Sequence, residues 1–227
     1  MRVALFGGTF DPFHQGHLDV AHAARRALQL DRVDILPSNV PPHRAPPHAS
    51  AAHRFAMAAL GVHGEEGLAV SDLEMLAPGA SYTCATLDRL QATGVDTTTA
   101  CFVIGADAFA DIATWRQYPE LLDRCHFIVV SRPSRRAPDL RALLPQLAAR
   151  MLDAPVIGPF AVPPRPAIIL VDAPTAPVSS TTVRQHLAAG LSIRGMVPDA
   201  VRAHIATHRL YTTPEMPDPA RAPEMSS

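Results

Sequence analysis

Short apolar runs alternate along this chain with glycine- and proline-rich turns and with stretches of helical periodicity. Val3-Ala4-Leu5-Phe6 is closed by Gly7 and Gly8, and a polar turn from Thr9 to His17 follows. Apolar residues then recur at helical spacing from Leu18 to Leu30. Val33 to Leu36 reads as a second strand ended by Pro37, before a stiff proline-rich loop over residues 37–48. Ser50 is placed to cap a helix running to about Leu60, and Ser81 to cap another through Leu90. Leu68 to Val70, Ala100 to Ile104, Cys125 to Val130 and Ala167 to Val171 read as further strands. Leu140 to Leu152 has helical periodicity broken at Pro145, and residues 154–166 read as irregular, proline-rich chain. Ser179 or Ser180 caps a helix reaching Ala189 with Gly190 as its terminator, and a last helix spans about Asp199 to Ala206.

This alternation predicts an α/β, Rossmann-like fold. Its sheet is open and mostly parallel, with helices on both faces and a small C-terminal helical region. One domain is expected over residues 1–212, followed by a disordered tail from 213 to 227 that is rich in Pro and Met.

Composition narrows the functional classes. The chain has 227 residues, 48% of them hydrophobic, enough for a substantial core. Its formal net charge of -1 gives no case for a broad nucleic-acid surface. Cys84, Cys101 and Cys125 are widely spaced without a CxxC pair, which points to buried thiols in a reducing compartment. With no signal-peptide pattern and no long apolar run, a cytoplasmic protein without membrane contact is expected.

The chemistry is concentrated at the first strand-to-helix passage. Unpaired amides and the helix dipole make such a passage an anion site. There His14 and His17 lie one helical turn apart, and Gly16 removes a side chain where a ligand's approach would be close. Pro12 fixes the turn, Thr9 offers a hydroxyl, and Asp11 suits a structural role accepting turn amides or steering a histidine. Zinc competes for these imidazoles, with His22, His43, His48 and His53 as further nitrogens. However, the pair lacks a nearby cysteine, an HExxH motif and a clear third ligand, so phosphate handling is favoured and no protein metal ligand is assigned.

The stretch GGTFDPFHQGH resembles the HxGH signature of the nucleotidyltransferase superfamily. Downstream, Val40-Pro41-Pro42-His43-Arg44, Ser81-Tyr82-Thr83, Gly105-Ala106-Asp107 with Trp115, and Ser179-Ser180-Thr181-Thr182-Val183-Arg184 resemble the bacterial nicotinate-nucleotide adenylyltransferase family. The closing VPDAVRAHIATHRLY is similar to that family's C-terminal end.

The resemblance implies transfer of AMP from ATP to nicotinate mononucleotide, giving deamido-NAD and pyrophosphate, with Mg2+ held mainly by the ATP phosphates. It implies His14, His17 and Arg184 as the catalytic phosphate ligands. Gly7, Gly8, Thr9, Phe10, Gly16, Gly105, Asp107, Ser180 and Thr181 would surround the nucleotide. Arg44, Tyr82, Thr83 and Trp115 would receive the acceptor, Trp115 by stacking on the pyridine ring. The chain departs from the family at Phe13, at Ala85 (where a carboxylate is common) and at His204 (often tyrosine). A nicotinamide-mononucleotide or dual-specificity enzyme, and a non-catalytic nucleotide-binding regulator, are the competing readings.

Overall fold

The computed structural model describes residues 2–41, 46–155 and 163–212. Among the described residues, seven parallel strands form one open sheet: β1 (Val3–Gly8), β2 (Arg32–Pro37), β3 (Leu68–Val70), β4 (Cys101–Gly105), β5 (His126–Val130), β6 (Met151–Asp153) and β7 (Ile168–Val171). Their spatial order is β3-β2-β1-β4-β5-β7-β6. The chain steps outward from β1 through β2 to β3, then returns to the other side of β1 at β4. Two neighbouring strands therefore lead away in opposite directions, which opens a crevice beyond their carboxyl ends. Every assigned strand pairing is parallel.

The strand sequences show why both faces are covered. Ala4, Phe6, Val33, Ile35, Val103, Ile128 and Ile169 enter one buried cluster. Their neighbours Leu5, Leu36, Phe102, Ile104, Phe127, Val129 and Ile168 enter the other. This period-two alternation between two apolar layers gives the nearly continuous hydrophobic runs of a doubly covered sheet. Helices α1 (Gln15–Leu28), α2 (Ala51–Val62), α6 (Ser180–Ala188) and α7 (Asp199–Thr207) contribute to the first layer. Helices α3 (Thr83–Ala92), α4 (Ala106–Phe109) and α5 (Leu140–Leu143) contribute to the second. Each fully buried Ile, Leu or Phe adds about 1.5–3 kcal/mol of apolar burial.

Several boundaries differ from the sequence pattern for local reasons. Helix α1 begins three residues earlier than Leu18, because extended His14 serves as its N-cap (φ -143°) and Gly16 already lies in the first turn. Ser50 caps α2 by accepting the His53 amide, and Ser179 caps α6 by accepting that of Thr182. Ser81 does not cap α3: its hydroxyl accepts the Asn39 amide across the cleft loops, leaving Tyr82 as the N-cap. Pro145 does more than kink the Leu140–Leu152 pattern. A four-residue helix ends there, a 3₁₀ turn takes over, and Met151–Asp153 becomes strand β6 beside β7. The proline-rich stretch contributes no assigned element among its described residues, and 156–162 lie outside them. The expected tail from Thr213 likewise lies outside the described residues.

Candidate active site

At the carboxyl end of β1 the chain turns through Thr9–Phe13 into α1. Phe10 takes a left-handed backbone (φ 51°) and is 2% exposed. A bulky residue tolerates that region only when its surroundings over-determine it. Its ring meets Phe6 edge-on at 5.5 Å and His17 edge-on at 4.9 Å. Gly7 and Gly8 make room for this packing. A Cβ would lie 2.7 Å from the Phe102 ring at Gly7, and 2.7 Å from Phe10 at Gly8.

The two signature histidines stack with ring centroids 3.6 Å apart. His17 Nδ1 accepts the His14 amide at 3.2 Å. In the neutral ring the proton therefore resides on Nε2, making His17 a fixed N–H donor. His14 is 2% exposed, and burial together with the nearby Arg132 guanidinium lowers its pKa to about 3. It is thus a neutral imidazole at neutral pH. Its buried Nδ1 has no hydrogen-bond partner among the described residues, a polar atom at the cleft wall still able to meet one.

Other elements converge on the same turn. Asp11 is 4% exposed, and its carboxylate accepts the amides of His48 and Ala49 and the hydroxyl of Tyr211. The first expectation for Asp11, a structural acceptor of amides, matches this arrangement, although the amides belong to the loop before α2. Burial and that carboxylate raise the Tyr211 pKa well above the usual phenol range. From the start of α6, Ser180 Oγ donates to the Pro12 carbonyl at 3.0 Å and Arg184 donates to the Asp11 carbonyl at 2.7 Å. A second Arg184 nitrogen lies 3.3 Å from Thr181 Oγ1. Helix α6 thus brings its N-terminal amides and a guanidinium to the edge of the histidine turn.

These parts line one cleft of about 860 Å³ at the sheet's switch point. Gly7, Gly8, Thr9, Phe10, His14 and His17 form the wall contributed by β1 and its turn. Ser180, Thr181 and Arg184 approach from α6, and Gly105 and Asp107 from the end of β4. Asp107 accepts the next residue's amide, Ala108, and is exposed. Tyr82, Thr83 and half-buried Trp115 also line the cleft, with the Arg116 guanidinium 4.9 Å from the Tyr82 ring centroid. Arg44 lies outside the described residues. Gly16 is set apart: it is not among the cleft-lining residues, and its missing Cβ would fall 2.6 Å from Arg132 Nη1, so the glycine makes room for a protein guanidinium.

Three organising residues escaped the motif reading. Arg132, just past β5, lines the cleft and donates to the Gly16 and Val178 carbonyls at 2.8 and 3.0 Å. It thereby ties α1 to the segment leading into α6. Arg54 is 1% exposed and donates to the carbonyls of Thr9, Ser38, Asn39 and Ala49. One buried cation ties the turn after β1 to both ends of the loop between β2 and α2, and its desolvation lowers its pKa. Glu74, 3% exposed, accepts Thr86 Oγ1 and Arg89 at 2.6 Å each, anchoring α3 beside the cleft. A charged residue two positions past a strand end offered a sequence signal for Arg132. Arg54 and Glu74 offered none, because their partners are carbonyls and side chains brought together only by folding.

The three cysteines are free and buried; burial raises Cys101 to about 11 and Cys125 to about 12, so neither is a ready thiolate. No helix among the described residues is long and apolar enough to cross a membrane.

A parallel sheet with an HxGH turn at its switch point defines a nucleotidyltransferase, and the cytidylyltransferase-like family model matches residues 5–186. Similarity extends well beyond that core. The probable nicotinate-nucleotide adenylyltransferase of Pseudomonas fluorescens is 40% identical over 215 residues, covering 94% of this chain and 98% of the relative. That of Roseiflexus sp. is 42% identical over 210 residues, covering 92% and 97%. The chain belongs to the nicotinate-nucleotide adenylyltransferase family. The fold is shared with Plasmodium falciparum nicotinic acid mononucleotide adenylyltransferase complexed with NaAD. The TM-score is 0.72 at 18% identity, over 92% of this chain and 97% of that one.

Proposed function

We propose that the cleft transfers AMP from ATP to nicotinate mononucleotide, releasing pyrophosphate and giving deamido-NAD. The observation carrying the mechanism is the His14–His17 pair, locked by ring stacking and an amide hydrogen bond beside the α6 N-terminus and Arg184.

The attacking group is a phosphate oxygen whose second pKa is about 6, so it is largely anionic at neutral pH. The reaction needs neither a protein nucleophile nor a strong base. Its barrier lies in charge accumulating on the α-phosphoryl group and the departing pyrophosphate. Preorganised donors act directly on that charge. His17 Nε2–H serves the α-phosphoryl oxygens, with His14 beside it. Burial chiefly holds His14 neutral, and an arriving triphosphate opposes the smaller contribution of the Arg132 charge. Arg184 and the amides of Ser180 and Thr181 serve the β- and γ-phosphates. Gly7, Gly8, Thr9 and Phe10 shape the nucleotide wall, and Gly105 and Asp107 border the adenosine, Asp107 meeting ribose hydroxyls. Trp115 stacks on the pyridine ring, Tyr82 and Thr83 receive its carboxylate, and Arg44 receives the acceptor phosphate.

Three of the four carboxylates lining the cleft are already engaged, which suits a metal carried by substrate. Asp11 accepts two amides and a phenol, Glu74 is paired with Arg89 and Thr86, and Asp107 accepts the Ala108 amide. Mg2+ held mainly by the ATP phosphates and water would neutralise charge on the leaving group. Residues 1–212 form the catalytic unit in this reading. Buried, unpaired thiols support a cytoplasmic setting.

Direct transfer has a stereochemical test. ATP chiral at a sulfur-substituted α-phosphorus should yield product with inverted configuration and no adenylylated protein. Retention, or a trapped adenylyl-protein, would contradict direct attack.

A further inference from the structure

Outside the cleft, three imidazoles meet where α2 packs against α7. We propose that His53, His204 and His208 bind a divalent transition-metal ion of the zinc class, joining the start of α2 to the end of α7. One ligand nitrogen from each ring lies within 4.8 Å of the others. His53 Nδ1 and His204 Nε2 are 3.1 Å apart, a contact that requires one of the two nitrogens to present a lone pair. Zinc–imidazole distances of about 2.0–2.1 Å and tetrahedral angles imply nitrogen separations of about 3.4 Å. The closest pair already has nearly that spacing, and small ring rotations bring in the third.

The backbone makes the set possible. His204 and His208 lie four residues apart at the end of α7 and share a face. His53 sits in the first turn of α2, where Ser50 accepts its amide. His53 and His204 are half-buried, while His208 is exposed and leaves an approach from solvent. Three nitrogen donors with room for water match zinc, cobalt or nickel. The same set disfavours magnesium, which requires oxygen ligands.

The site is separate from the reaction, since none of the three lines the cleft. It reaches the cleft through Asp11. The loop entering α2 gives Asp11 the amides of His48 and Ala49, and the chain leaving α7 gives it the Tyr211 hydroxyl. A metal tying α2 to α7 therefore holds together two elements that converge on the histidine turn.

The test uses the full chain after chelator treatment and desalting. Titrated Co2+ should bind at one equivalent with visible d–d absorption and be displaced by Zn2+. At a hundred times its Kd, Zn2+ should raise Tm by about 5–10 °C for a chain of this size. Mg2+ should do neither. His204→Tyr and His208→Ala should each weaken Co2+ and Zn2+ binding at least a hundredfold. Retained adenylyl transfer would show that each variant is folded, and if one fails to fold the other decides. Co2+ binding unchanged in a folded variant, or no binding by the wild-type chain at micromolar metal, would overturn the site.

Discussion

Tyr211→Phe isolates the hydrogen bond that fastens the end of the described chain to the histidine turn. The substitution removes one oxygen and leaves the ring, so it creates almost no cavity. The lost bond is 2.7 Å long and ends on a carboxylate that is 4% exposed. Hydrogen bonds to charged groups contribute about 1.5–3 kcal/mol. Asp11 retains the His48 and Ala49 amides, so its charge does not become wholly unsatisfied and the loss should stay in that range. For a chain of this size each kcal/mol shifts Tm by about 2–4 °C, giving a fall of about 3–12 °C. Urea unfolding of Tyr211→Phe, Asp11→Asn and the double variant measures the coupling between the partners. A coupling below about 0.5 kcal/mol, within the usual additivity error, would refute the claim that this contact secures the turn.

His17→Ala should lower kcat by about 10²–10³-fold, the scale of losing one preorganised donor, while unfolding stability changes much less; near-wild-type turnover would exclude the assigned role. Trp115→Ala should raise KM for nicotinate mononucleotide about 3–10-fold through lost stacking, with KM for ATP nearly unchanged; an equal effect on both would place the ring elsewhere. The ligand-free protein should lose stability as pH falls, because unfolded His14 takes up a proton below about 6.5 and folded His14 only near 3. From this residue alone the loss is about 2 kcal/mol between pH 7 and pH 5. His14→Gln should remove that part of the slope in urea-unfolding measurements, and an unchanged slope would mean His14 titrates normally.

Most strands were legible because they are apolar runs buried on both faces, bounded by glycine, proline or a polar turn. Strand β6 was hidden: only Met151 of its three residues is buried, and its helical-looking approach ends in a 3₁₀ turn after Pro145. In the cleft, the sequence signals came from local clusters such as GGTFDPFHQGH and SSTTVR, whose spacing survives folding directly. Arg54 illustrates what such reading misses. Nothing around it in sequence marks its function, yet its carbonyl partners come from the ends of two strands and the loop before its own helix. Gly16 shows that a motif glycine can also serve packing, since its immediate neighbour is Arg132. The His53–His204–His208 cluster was equally illegible, since 151 residues separate the first two.

The central claim is adenylyl transfer in this cleft to the nicotinate form of the acceptor. Its most direct measurement incubates the purified chain with ATP and Mg2+ and either nicotinate or nicotinamide mononucleotide, quantifying pyrophosphate and dinucleotide together. We expect equimolar pyrophosphate and deamido-NAD, with a higher kcat/KM for the nicotinate acceptor. Equal kcat/KM for the two acceptors would remove the specificity, and ATP binding without pyrophosphate release from either would contradict the account.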